Sequence, residues 1–373
     1  MQFPLLLRGF VVLGIMLMHT AWFFNKDHTE TLVTVAGMML DLLSLFAVPL
    51  FMFISGYLFV SRHRHANLYG ISFAKKMCLS VLSPYLLFSL LYVAGMYFFG
   101  NEHYTPSDIF QMILTGSAAI HLGFFRALFG FFVFYPIIIK YFIKCRRSKR
   151  LAIYFLVVIA LQIIWKILNN IDFTSDVITY AIMATTFLRY IAYFSFGIAA
   201  WLYRRQYLRW LDTHYWLLCL MLLIFIPLTA LCWVAKYYWH NYPILEFICF
   251  PLNLFLYTII ISLLFRYADT LEKQDTLSKR FVAYIGNYSF GIFLLHIMFM
   301  YLGVEGLSLL GITPEKLLFY PVLFIVMLSL SIGSMELLVR LPLHQYLIGS
   351  VGKVDLHENN EQEKDNAQIK NKK

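Results

Sequence analysis

Arg8 and His19 lie in one apolar stretch, Pro4 to Phe24, with ten residues between them. An ionisable side chain at membrane depth is costly and normally turns toward a bundle interior or a hydrated cavity. Eleven residues of α-helix advance about 16 Å and rotate about 20° beyond three full turns. One face of one helix would therefore carry a guanidinium near its start and an imidazole about half a bilayer further on. Guanidinium matches phosphate geometry and suits the grip of an anion. Imidazole titrates near neutral pH and suits proton transfer. The same two residues also read as an arginine snorkelling from a helix end and a histidine bonded to a neighbouring helix.

Further polar residues interrupt the apolar segments: Asp41, Ser55, Arg126, Arg189, Glu246, Asn253, Asn287, His296 and Glu336. Asn253 and Asn287 read equally as interhelical hydrogen-bond glue, worth about a kcal/mol or less. Asp41 and Glu336 read equally as ion-pair partners of Arg126 or Arg189. His296 follows Asn287 by nine residues, in a segment that runs in the same direction as the first. That places it near the depth of His19, where the two rings are able to share a site. So many ionisable groups imply a hydrated path or pocket, which serves a transporter as well as an enzyme.

The elements that must position these residues are membrane helices. The chain is 61% hydrophobic and 13% charged, against about 25% charged in soluble domains. The fold class is therefore all-α and polytopic. Ten apolar segments are expected, at 3–24, 32–60, 77–99, 121–143, 151–168, 179–203, 214–235, 244–265, 281–303 and 317–339, each near the roughly 20 residues needed to span. The second is long enough to tilt, or to break near Pro49. The stretch from Ile109 to Ile120 is too short to span and reads as interfacial or re-entrant.

Basic residues cluster in alternate loops: Arg62 to Lys76, Lys140 to Arg150, Arg204 to Arg209, Arg266 to Arg280, and the tail from Arg340. The opposite loops carry little beyond Lys26, Lys166, Lys236 and Lys316. By the positive-inside rule both termini are expected in the cytoplasm. The net charge of +10 thus reads as topology and gives no sign of a nucleic-acid partner. The membrane domain is expected over 1–340, followed by a polar, disordered tail over 341–373. The five cysteines are scattered and show no ligand or disulfide spacing, so no metal is expected. The N-terminus lacks a basic n-region and a small-residue cleavage site, and reads as a retained helix.

These residues carry a family likeness. RGFVVLGIMLMH, from Arg8 to His19, is similar to the signature of the membrane acyltransferase-3 family: a basic residue, ten residues, then His. VPLFMFISGYLF (48–59) resembles its second-helix motif with a Ser-Gly pair. HLGFFRALFGFFVFYP (121–136), FLRYIAYFSFG (187–197) and IGNYSFGIFLLH (285–296) resemble three later motifs, in the family's order. The chain departs from the pattern at Gly123, where Trp is frequent, and at Arg126, where an aromatic is common.

The resemblance implies a bacterial inner-membrane enzyme that O-acylates envelope or secreted glycans. It implies acyl-CoA as cytoplasmic donor, acetyl-CoA before succinyl-CoA. The acceptor implied is a sugar hydroxyl of an exopolysaccharide, lipopolysaccharide or lipid-linked glycan, met among membrane lipids. His19 is then the expected base and Arg8 the grip on the donor. Arg126, Asn287 or His296 would support an oxyanion, and Asp41, Ser55, Arg189 and Glu336 would complete the polar pocket. Direct transfer and an acyl-His19 intermediate both remain open. Two other functions compete: a polysaccharide exporter or other transporter, against which stands the absence of an evident inverted repeat, and a sensor or scaffold for an envelope synthase.

Overall fold

A computed structural model describes residues 2–25, 31–63, 81–100, 103–144, 148–169, 185–238 and 244–342. All regular structure among them is helical. In chain order the helices are α1 (Phe3–Ala21), α2 (Thr31–Ser44), α3 (Ala47–His63), α4 (Ser83–Gly100), α5 (Pro106–Thr115), α6 (Phe124–Lys144) and α7 (Ser148–Asn169). There follow α8 (Ile191–Leu202), α9 (Arg204–Thr213), α10 (Tyr215–Tyr238), α11 (Ile244–Glu272), α12 (Leu277–Asn287), α13 (Ser289–Leu309) and α14 (Phe319–Leu338). A 3-10 turn, Thr186–Tyr190, leads into α8.

Eight helical runs among the described residues are long and apolar enough to cross a bilayer, and Ser83–Phe98 and Thr186–Leu202 are shorter apolar helices. The eight runs fall in eight of the ten apolar segments read from the sequence, and the two shorter helices fall in the third and sixth. The chain is a multi-pass membrane protein. The described basic residues that follow α6, α8 and α11, among them Lys149, Arg205 and Lys273, lie at one end of the bundle, which we call the basic face. Arg64, Lys75, Lys76, Arg146, Arg147, Lys26, the side chain of Glu246 and the tail from residue 343 lie outside the described residues.

The long second segment is interrupted near Pro49, by a turn at Leu45–Phe46. Pro49 sits in the first turn of α3, where its missing N–H costs nothing because that donor has no helical partner. The stretch beginning at Ile109 is neither a span nor extended. Helix α5 is held by a capping box between Thr105 and Asp108 and stopped by Gly116 at φ 67°. A run of turns then carries the chain to α6.

Helix α1 is the axis of the bundle, packed against α2, α3, α11, α12, α13 and α14. Its first turn is fixed by Glu272, whose carboxylate accepts from the N–H groups of Gln2 and Phe3, both at 3.0 Å. A carboxylate there satisfies orphan donors and opposes the positive end of the helix dipole. Arg204 closes the arrangement, 2.8 Å from Asp269, 3.5 Å from Glu272 and over the Phe3 ring.

The closest helix crossings use glycine. A Cβ on Gly56 would lie 2.1 Å from the Phe194 carbonyl, and one on Gly197 1.9 Å from that of Phe53, so α3 and α8 touch backbone to backbone. Gly9 and Gly286 do the same for α1 and α12. In hydrocarbon, helix association rests on such close packing rather than on hydrophobic burial. These glycines belong to the motifs that suggested the family, so part of what those motifs encode is helix contact.

Candidate active site

At the end of α1 away from the basic face, a cavity of about 570 Å³ opens among α1, the α2–α3 break, α6, α7, α8 and α11. Ile15, Met18 and His19 line it from α1, and Leu45, Val48, Pro49 and Phe51 from the break and α3. Interruption of the second segment thus places helix ends, with their unpaired backbone groups, at the wall. Phe124 and Arg126 contribute from α6, Gln162 and Lys166 from α7, and Arg189 and Tyr193 from the start of α8. Asn253 and Tyr257 contribute from α11.

Three histidines meet at the cavity wall. The His19 and His296 rings are 5.1 Å apart between centroids, and His296 and His121 are 5.0 Å apart. His19 and His121 line the cavity, with 6% and 5% exposure, and His296 is fully buried. The Nδ1 of His296 lies 2.7 Å from the Phe293 carbonyl. A carbonyl only accepts, so Nδ1 carries the proton and donates. Nε2 of the neutral ring is then an acceptor, and it is buried without a hydrogen-bond partner among the described residues. His19 and His121, each next to His296 and at the cavity, are the rings placed to exchange a proton with a bound group. Among the described residues no group of three or more His, Cys, Asp or Glu has the arrangement of a metal site.

The hydroxyl of Tyr92, from α4, holds the histidine helix in an unusual way. It donates to the Leu294 carbonyl at 2.9 Å and accepts from the Met298 N–H at 3.2 Å. Those two backbone groups are helical partners four residues apart, so a side chain from another helix bridges the ladder at His296. The Tyr92 ring also meets His121 edge-on at 5.3 Å.

The residues singled out from the sequence divide into two sets. His19, Arg126, Arg189 and Asn253 line the cavity, and His296 supports it from behind. Asp41 is half-buried on α2 and acts with Arg189 on Tyr257 from outside the lining. The single polar pocket expected from the sequence does not take in the rest. Arg8 is near the opposite end of α1, about 16 Å along the axis. Ser55 turns back on its own helix and donates to the Phe51 carbonyl at 2.8 Å. Asn287 lies at the end of α12, against α1 near its start. Glu336 accepts from Tyr284 and, at 3.0 Å, from Tyr288.

Two cavity residues, His121 and Gln162, and the neighbouring Tyr92 were given no role from the sequence. His121 stands in the turns before α6, inside a motif noted only for its likeness. Tyr92 carried no signal beyond its aromatic type. Gln162 is buried on α7 and accepts from the Ala192 N–H at 3.2 Å, capping α8 from another helix.

Comparison with known proteins gives one match. A family model described as an acyltransferase domain, acyltransferase-3, covers residues 3–336. No curated protein and no solved structure matches the chain.

Proposed function

Because this chain belongs to the acyltransferase-3 family and is a membrane O-acyltransferase, we propose that it moves an acyl group from cytoplasmic acyl-CoA to a glycan hydroxyl outside the bacterial inner membrane. Acetyl-CoA is the first donor to test and succinyl-CoA the second. The observation that carries this reading is His19 at the cavity, backed by the free acceptor of His296.

The basic face is cytoplasmic in this reading, and its positive potential draws in the polyanionic donor. Arg8 grips a donor phosphate at that end. The thioester reaches along α1 to His19, a distance that an extended pantetheine arm covers. The acceptor enters the cavity from the other side. His19 takes the proton as the sugar oxygen attacks the thioester carbonyl, and the positive wall of the cavity stabilises the developing oxyanion. The C–S bond then breaks, the sulfur leaves as thiolate, and the imidazolium proton goes to it. The acyl-enzyme variant replaces the first attack with one by His19 itself.

The test is the acyl content of the surface glycan, read by NMR before and after base treatment. A deletion strain, wild type and His19→Ala are compared at matched membrane abundance. Base-labile acyl groups should vanish from both mutants while glycan still reaches the surface. Glycan missing from the surface of the deletion strain, with His19→Ala behaving as wild type, identifies an exporter and overturns the proposal. Arg8→Ala should raise the KM for acyl-CoA at least about tenfold; an unchanged KM and rate removes Arg8 from donor binding.

A further inference from the structure

Among the described residues the charge lining the cavity is of one sign: Arg126, Lys166 and Arg189 face it, and no acidic residue does. Arg126 has its Nε 3.4 Å from the Gly123 carbonyl, and Arg189 lies over the Tyr190 ring at 5.3 Å. Neither guanidinium is in an ion pair among the described residues. Asp41 does not line the space. Helices α3 and α6 begin at the wall, with Val48 and Phe124 in their first turns. Their N-termini therefore add partial positive charge on two further sides.

Uncompensated cations at membrane depth are costly. Arg126 and Arg189 meet at this cavity without an ion-pair partner among the described residues, which suits a ligand that brings the compensating charge. The donor's phosphates do not fill this role. In the reading above they stay near Arg8 at the basic face, about 16 Å along α1 from His19. The charge must then come from the acceptor side. Apolar and aromatic surfaces, among them Phe51, Phe124, Tyr193 and Phe293, complete the walls. Such surfaces suit the apolar faces of a sugar ring.

We infer that the acceptor is an anionic sugar, whose carboxylate or phosphate is held by Arg126 and Arg189 while its hydroxyl meets His19. This rests on the acyltransferase reading and adds the chemical class of its acceptor. Two sources supply that chemistry: a uronic acid within the glycan, or a phosphate joining the sugar to a carrier. A charged acceptor also solves a positioning problem. The two guanidiniums fix one end of the ring, so only hydroxyls at a set distance from the anion reach the imidazole.

The test uses the full-length protein in nanodiscs and three probes: glucuronate, glucose 1-phosphate and glucose. Binding is read from the thermal midpoint against probe concentration. Glucuronate or glucose 1-phosphate should raise the midpoint, less so at 0.5 M salt, because ionic contacts open to solvent are screened. Glucose at the same concentration should not. The double variant Arg126→Gln/Arg189→Gln should weaken the response at least about tenfold in Kd. Arg205→Gln, an exposed change at the basic face, should leave it intact. A response to glucuronate alone assigns the carboxylate source, and a response to glucose 1-phosphate alone assigns the phosphate. Equal stabilisation by glucose, no stabilisation by either anion, or a full response in the double variant overturns the inference. Acyl transfer is measured on the same samples. Anion binding with transfer intact in His19→Ala would sink the catalytic reading and leave the anion site standing. Transfer that depends on His19, without anion binding, would do the reverse.

Discussion

At the scale of single residues, the site joins His19, proposed as the base, the His296 ring behind it and a tyrosine that holds that ring's helix. Tyr92 is the most testable of these, because its hydroxyl is one atom and its effect is specific. In Tyr92→Phe the Met298 N–H can return to the Leu294 carbonyl, so stability should change by no more than about 1 kcal/mol. The backbone at His296 then shifts, and a small displacement of a supporting group costs about ten- to hundredfold in rate. We expect kcat for acyl transfer to fall by that amount with the KM values nearly unchanged and the thermal midpoint close to wild type. Retention of kcat would show that the ladder insertion is only structural. His19 and His296 were legible in the sequence because both are titratable groups in apolar runs at matched depth. His121 was not, because it precedes its helix and its depth is set by the turns after Gly116. Ser55 shows the converse. A hydroxyl in a motif looks functional, yet which way it points depends on a rotamer, and here it bonds its own helix.

At the scale of helices, the architecture rests on crossings that only glycine allows. Gly56→Ala or Gly197→Ala forces α3 and α8 apart, since the new methyl would stand about 2 Å from a carbonyl oxygen. Overpacking of this kind costs about 1–3 kcal/mol. Both should lower the thermal midpoint in detergent and reduce the yield of folded protein. Gly95, on α4, faces open space, and Gly95→Ala should be neutral or stabilising by up to about 1 kcal/mol. Equal effects at all three positions would refute the crossing argument. The helices themselves were readable from runs of the length that crosses a bilayer. Their contacts were not, because a glycine that closes a crossing and one that faces open space have the same letter. The break in the second segment was readable to within a few residues, and it precedes Pro49 because proline is tolerated in a first turn.

At the scale of the whole molecule, one end gathers basic loops and the other holds the cavity. This polarity predicts sidedness. In a background with the five native cysteines replaced, Leu310→Cys lies in the exposed connection after α13, at the cavity end. Arg205→Cys lies at the basic face. A membrane-impermeant maleimide added to spheroplasts should label the first and leave the second unlabelled until the membrane is opened. The opposite pattern would invert the topology and put the cavity in the cytoplasm. Charge alternation along the sequence already contained this polarity. The cavity was not visible there, because it is assembled from residues as distant as Met18 and Asn253. Tyr92 also bears on the whole molecule, for it ties α4 to α13 through backbone atoms. The Met298 amide is protected by a hydroxyl from another helix, so its deuterium exchange depends on the seating of α4 as well as on the helicity of α13. One amide proton thereby serves as a clock for the docking of an entire helix beside the histidines.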